Sequence, residues 1–360
     1  MRTVLDWYLL LEPPSPTSPP LPACASTAPA TSTLCDTGDE EADDGFRVFA
    51  EEDESAGAAV AAAAAAQLAP RELAPRYWRE QYVKSAGRHW EAFYQRNGDR
   101  FFRDRHYLSR DFKAVLSPAR GARDMCLLEV GCGCGNALLP LAQALPRLHV
   151  AAFDLSRAAI DLASAQALQL GLRGRVHCFV RDAAVPDLAA DVERERRRHR
   201  SALEAEAAPA TAEDEGYSAG FLPRKPALVS GFDAVLMLFM LSAMPPERHL
   251  GILAEAASTL TPGGALLFRD YAFGDAAQLR FGKGKMLDTD GSLFARQDGT
   301  LAYFFTLGRL RALCAAAGLE EVESRVLVRS YTNRAENVTL RRLFVHGVFR
   351  KGVGIASGPL

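Results

Sequence analysis

From Met125 onward, short apolar runs alternate with longer mixed stretches. Met125–Leu128, His149–Phe153 and Val176–Val180 each read as buried strands. Between them lie helical stretches. Ala137–Leu145 follows the first run, and a second helix runs to about Leu170 from Ser156, whose hydroxyl suits an N-cap. Phe232–Phe239 is mostly apolar, as a strand buried on both faces should be. Pro246 opens a helix toward Leu260, the turn Thr261-Pro262-Gly263-Gly264 ends it, and Ala265–Asp270 is a fifth strand. A helix near Leu307–Ala317 precedes two more strands, Val322–Val328 and Leu340–Phe349. This order predicts an α/β, Rossmann-like sheet of seven strands, mostly parallel, with an antiparallel strand near its edge and helices on both faces.

The alternation fails in two places. Pro13–Pro22 is proline-rich, Asp36–Glu54 acidic and Ala56–Ala66 almost pure alanine. Such a mixture buries too little to offset ordering, so residues 1–72 read as a disordered tail. Residues from about 190 to 226 read as a low-complexity insertion that opens with a charged, solvated helix, Asp191–Arg200. The remaining divisions are an N-terminal helical extension over 73–118, the α/β domain over 119–351 and a tail over 352–360.

Charge changes this picture. The formal net charge is −2, but residues 1–72 hold 13 acidic and 3 basic residues, leaving 39 basic against 31 acidic in the rest. A basic body of this kind suits a polyanionic partner. No apolar run has the length of a membrane span. Seven cysteines without a CxxC pair indicate neither a metal site nor a disulfide framework, which favours the cytosol, with the nucleus as second choice. Arg2 is the only basic residue before Arg47, against the basic leader of an organelle protein.

The chemistry gathers at Glu129–Asn136, a glycine turn between a strand and a helix, where backbone N–H groups can approach a ligand. Asp154 ends the next strand, where a carboxylate can hold a ribose diol, and Arg181-Asp182 ends the third. A dinucleotide site wants G-x-G-x-x-G, whereas here Glu129 leads Gly131, Gly133 and Gly135. That E-x-G-x-G-x-G pattern, with Asp154 and Asp182, resembles class I S-adenosylmethionine-dependent methyltransferases. The resemblance implies that the glycines make room for the cofactor's amino-acid part, Asp154 holds the ribose and Asp182 reads the adenine amine.

Upstream, Tyr77–Tyr82, His89–Tyr94 and Arg100–Leu108 are dense in aromatic and basic residues, which suits bases and phosphates. Taken alone, they better suit a helical extension packing its aromatics on the domain. Trp90 and Tyr94 share a helix face and can jointly cover a flat ligand. Several stretches then resemble the eukaryotic tRNA 3-methylcytidine methyltransferases: Trp90–Tyr94, Phe102–Tyr107, Leu128–Asn136, Phe239–Ala243, Leu267–Tyr271, Gln278–Phe281, Asp298–Phe305 and Asn333-Arg334. They span Tyr77 to Lys351 outside the insertion.

This resemblance implies S-adenosylmethionine as cofactor, with Trp90, Tyr94, Glu129, Gly131, Gly133, Gly135, Asp154, Asp182 and Leu238 at its site. It implies tRNA as substrate, at a cytidine of the anticodon loop, and in some members a protein partner such as seryl-tRNA synthetase. Methylated cytosine is cationic, so Asp270 and Asp104 are the candidate charge stabilisers. Arg105, His106, Arg269, Tyr271, Arg280 and Asn333 are the candidates for the nucleotide site. Where relatives often carry further basic residues, Arg334 is followed by Ala335-Glu336. A methyltransferase for a small molecule or protein, or a non-catalytic cofactor-binding scaffold, remains as an alternative.

Overall fold

The computed structural model describes residues 72–99, 101–116, 124–207, 231–333 and 338–353. Outside them lie the expected tail up to Arg71, residues 208–226 of the expected insertion, Arg334 and residues 354–360.

Strands β1 (Met125–Val130), β2 (Leu148–Asp154), β3 (Val176–Val180), β4 (Phe232–Leu238) and β5 (Leu260–Tyr271) run parallel to their neighbours. Two short strands, β6 (Leu293–Ala295) and β7 (Leu301–Tyr303), pair apart from the main sheet. Then β8 (Leu319–Asn333) and β9 (Val338–Lys351) form an antiparallel pair, with β9 inserted beside β5. The order is β3-β2-β1-β4-β5-β9-β8, the expected seven-stranded sheet. The strand order reverses between the parallel neighbours β1 and β4, and a crevice opens at their carboxyl ends.

Helices cover both faces. On one lie α2 (Leu108–Asp111), α3 (Lys113–Leu116), α4 (Leu138–Ala144) and α5 (Arg157–Gln169), which bury Phe112, Leu116, Leu138 and Ile160 against Leu127, Leu236 and Leu267. On the other, α6 (Leu188–Ala207), α7 (Pro246–Ser258) and α9 (Leu307–Ala316) cover Leu128, Val235 and Phe268. The long helix α1 (Arg76–Asn97) lies against α5, and the short α8 (Ala276–Leu279) touches β9.

Three differences from the expected pattern have physical reasons. The charged stretch from Asp191 is helical as expected, but its helix α6 starts at Leu188 and packs in the sheet's own helix layer. It has Leu188 and Val192 at 2% and 1% exposure, and the Arg196 guanidinium lies 5.0 Å over the Phe232 ring. Three of its other arginines pair along the helix, Arg194 with Asp191, Arg197 with Glu193 and Arg198 with Glu195, so charge masks a narrow apolar contact. Thr261–Gly264 does not separate helix from strand. It continues β5 through an irregular register opposite Phe232. Finally, β8 and β9 run 15 and 14 residues, and their far ends pair only with each other beyond the last β5 contact, Tyr271 with Phe344.

Candidate active site

The glycine loop is shaped by what closes on it. Gly131, Gly133 and Gly135 have φ of +71°, +54° and +93°, a region that favours glycine. A Cβ at Gly131 would collide with the Met240 side chain, and one at Gly133 with the Tyr94 hydroxyl. Gly135 instead meets Leu139 and Ala163, so it seats the loop on the helices. The Gly133 N–H donates to Asp154 Oδ2 at 2.9 Å, and the Ser156 N–H to Asp154 Oδ1 at 2.9 Å. Each oxygen keeps acceptor capacity for a ligand hydroxyl. Burial raises the Asp154 pKa, and these two backbone bonds oppose it.

Asp182 faces the same cleft and accepts from the Ala184 N–H at 2.8 Å. Arg181 stiffens the turn behind it, bonding Asp191 and the carbonyls of Asp182, Val185 and Pro186. Trp90 and Tyr94 roof the cleft, their rings 6.0 Å apart and tilted by 32°. Two buried polar atoms near the loop lack partners, Trp90 Nε1 and Glu129 Oε2. Burial pushes the Glu129 carboxyl up to about 8, with Arg105 opposing and Asp154 adding to the rise. A glycine cradle, a diol-binding carboxylate, an aromatic roof and a spare buried acceptor together fit S-adenosylmethionine, with its flat base, ribose and ammonium.

Adjoining this cleft is a cluster of rings and guanidiniums, the recess for short. Phe239, which lines the cleft, takes φ +54° directly after β4. Its ring lies 5.1 Å from Tyr271 and 5.5 Å edge-on to Phe344, and the Arg105 guanidinium sits 4.7 Å over it. Arg296 and Arg342 lie 5.5 and 5.7 Å over Tyr271. All three rings are half-buried. Arg105 is held there through Asn136 at the end of the glycine loop. The Arg105 N–H donates to the Asn136 carbonyl at 2.8 Å, and Asn136 Nδ2 donates to the Phe102 carbonyl and to Asp104.

Comparison with known proteins gives this arrangement a family. The model for the methyltransferase domain matches residues 83–324. A solved S-adenosylmethionine-dependent methyltransferase from Methanosarcina mazei, 20% identical with a TM-score of 0.42, covers 64% of this chain and 94% of that one. The tRNA N(3)-methylcytidine methyltransferase trm141 of Schizosaccharomyces pombe is 33% identical over 281 residues, 76% of this chain and 96% of its own. The tRNA N(3)-cytidine methyltransferase METTL6 of Mus musculus is 32% identical over 280 residues, 78% of this chain and 86% of its own. This chain belongs to the tRNA N(3)-cytidine methyltransferase family.

As a member of the tRNA N(3)-cytidine methyltransferases it takes S-adenosylmethionine as cofactor, and most of the residues expected to hold it converge. Trp90, Tyr94, Gly131, Asp154 and Asp182 line the cleft, Gly133 lies under Tyr94, and Glu129 is buried behind the loop. Leu238 is corrected. Its side chain belongs to the core on the α4–α5 face, and the cleft wall is Phe239 and Met240, because the last β4 side chain points away from the edge.

On the nucleotide side, Arg105 and Tyr271 meet in the recess. Arg280 ends α8 half-buried, its guanidinium unpaired among the described residues, and His106 is exposed. Asn333 closes β8 opposite Val338.

Three further candidates of this tRNA N(3)-cytidine methyltransferase have protein partners of their own. Arg269 is 2% exposed and donates to Asp111 at 2.8 Å, a structural ion pair on the α2 side of the sheet. Asp270 is buried, with Oδ2 accepting from the Ser242 N–H and Oδ1 from the Tyr271 N–H, so it braces the turn Leu241–Ala243. Burial raises its carboxyl to about 6 against those bonds. Asp104 is exposed, outside the cleft lining, and accepts from Asn136. Sequence reasoning passed over Phe239, Phe344, Arg296, Arg342 and Glu91. For Phe239 and Glu91 a signal existed, since both stand inside quoted stretches. Phe344, Arg296 and Arg342 reach the recess only through strand pairing.

Proposed function

We propose that this protein transfers a methyl group from S-adenosylmethionine to N3 of a cytidine in tRNA, and that this cytidine lies in the anticodon loop. The observation that carries this reading is the shared wall: Phe239 lines the methyl-donor cleft and also forms, with Tyr271 and Phe344, an arginine-ringed recess. Base pairing hides cytosine N3, so the base must come from a loop or be flipped. Bound in the cleft, S-adenosylmethionine supplies an electrophilic methyl group that the neutral N3 lone pair accepts, leaving the ring positively charged with no proton to remove.

The chain's own task is therefore orientation. The three rings offer stacking surfaces for the base and Arg105 offers N–H donors to carbonyl and phosphate oxygens, while Arg296, bonded to the Leu301 carbonyl, and Arg342, paired with Asp275, back the Tyr271 ring. No general base is called for, in keeping with the engagement of both Asp270 oxygens. Family resemblance supports a protein partner, such as seryl-tRNA synthetase, that presents the tRNA.

The test is nucleoside mass spectrometry on tRNA incubated with the purified protein and cofactor, with and without the synthetase. We expect 3-methylcytidine, lost when the anticodon-loop cytidine is replaced by uridine. Tyr271→Ala should lower the rate about 5- to 150-fold, the worth of about 1–3 kcal/mol of stacking, while binding of S-adenosylhomocysteine persists. Methyl transfer only to metabolites or protein would overturn the reading.

A further inference from the structure

We propose that Glu91 is a positioning residue for the methyl donor, latching the roof helix α1 onto the ribose-binding end of β2. This rests on the cofactor assignment above and not on the identity of the acceptor.

The Ser156 hydroxyl donates to Glu91 Oε2 at 2.7 Å, and the Ala158 N–H reaches the same oxygen at 3.4 Å. Gln95 Nε2 donates to Glu91 Oε1 at 2.9 Å, so the carboxylate is held from its own helix as well. Ser156 is wholly buried and caps α5, accepting from the Ala159 N–H at 3.1 Å. Its own N–H holds Asp154 Oδ1, while Asp154 Oδ2 holds the Gly133 N–H. Above Gly133 sits the Tyr94 hydroxyl, and Tyr94 stands three residues from Glu91 on α1. The contacts thus close a ring: Glu91, Ser156, Asp154, Gly133, Tyr94, and back along a single turn of α1.

Two features support a latch over incidental packing. A carboxylate at the first turn of α5 meets the positive end of that helix, which favours the charged form. Consistently, the Ser156 bond leads the causes that lower the Glu91 pKa, against a smaller effect of burial. One turn earlier, Gly87 stands within the helix, where a Cβ would press on the end of the half-exposed Leu155 side chain. Glycine inside a helix costs about 1 kcal/mol relative to alanine. The helix keeps it where α1 presses on the Asp154–Ser156 turn.

Glu91 touches no cofactor atom in this arrangement. It fixes where Trp90 and Tyr94 stand relative to Asp154, so roof and ribose site are set together. Calorimetric titration of the full chain with S-adenosylhomocysteine tests this. Glu91→Ala should weaken binding about tenfold, equivalent to about 1.4 kcal/mol, and raise KM for S-adenosylmethionine alike with kcat within about twofold. Glu91→Gln keeps an acceptor for Ser156 and should restore most of the affinity. Ser156→Ala should remove most of the effect of Glu91→Ala, a coupling that independent residues would not show.

A merely structural role predicts equal loss of Tm with and without ligand and an unchanged Kd. That result overturns the proposal, as does additivity in the double mutant. If Glu91→Ala does not fold, Glu91→Asp, too short to span the gap, gives the same reading of Kd. Failure of the unaltered protein to bind the ligand would instead refute the cofactor assignment.

Discussion

Glu129 shows how one residue can carry pH dependence for the whole chain. Its folded pKa, about 8, stands above the ordinary 4.5 because burial disfavours the charge. Between those values the folded state keeps a proton that the unfolded state has lost. Its contribution to stability is therefore full below pH 4.5, falls as pH rises through the window, and is flat above 8. Glu129→Gln, neutral at every pH, should remove up to about 1.4 kcal/mol per pH unit of that slope, read by urea unfolding of the cofactor-free protein between pH 5 and 9. An unchanged slope would mean that water or a counter-charge reaches the carboxyl. At this scale the sequence was legible wherever a motif fixes the backbone, as for Asp154 and Gly133. It was not legible at Arg269-Asp270-Tyr271, where spacing marks a strand end but not which face each side chain takes. There Arg269 turns to α2, Asp270 to the Leu241–Ala243 turn, and only Tyr271 to the recess.

Among the elements, the attachment of the helical extension rests on buried charge. Asp111 on α2 accepts from Arg269 of β5 at 2.8 Å and from Arg329 of β8 at 3.2 Å. His346 of β9 stacks on Phe112 at 4.6 Å and bonds Arg269 through Nδ1 at 3.0 Å. Burial, reinforced by Arg269, pushes His346 down to about 3, so it is neutral and accepts that bond. Burial, the largest single influence, would raise the Asp111 carboxyl, but Arg269 and Arg110 together lower its pKa. Asp111→Ala leaves two guanidiniums facing each other and should cost about 3–5 kcal/mol in thermal or urea unfolding. A loss below about 1 kcal/mol would show the cluster to be interchangeable with apolar packing. None of this cluster could be paired from sequence, because Asp111 and Arg329 meet only after β8 docks. The central strands were legible from their apolar runs. The pair β6 and β7 was not, since three-residue strands carry too little periodicity.

Across the whole molecule, charge is divided along the chain. With 39 basic and 31 acidic residues beyond residue 72, binding of tRNA should weaken steeply with salt. About five phosphate contacts to a single-stranded loop would give a log–log slope near −3.5. Deleting residues 1–71 removes most of the acidic excess of that region and should tighten tRNA binding without altering affinity for S-adenosylhomocysteine. Equal tRNA affinity with and without them would show that the two regions act independently. The strand order adds a consequence in time. Every residue of the donor cleft lies between Trp90 and Met244, whereas the acceptor recess needs Phe344 from β9, the strand seated between β5 and β8. A ribosome therefore emits the complete donor half before the acceptor wall is complete. A premature stop ahead of β9 spares the whole glycine loop, Phe239 and Tyr271 but removes Phe344 and Arg342 from the acceptor wall.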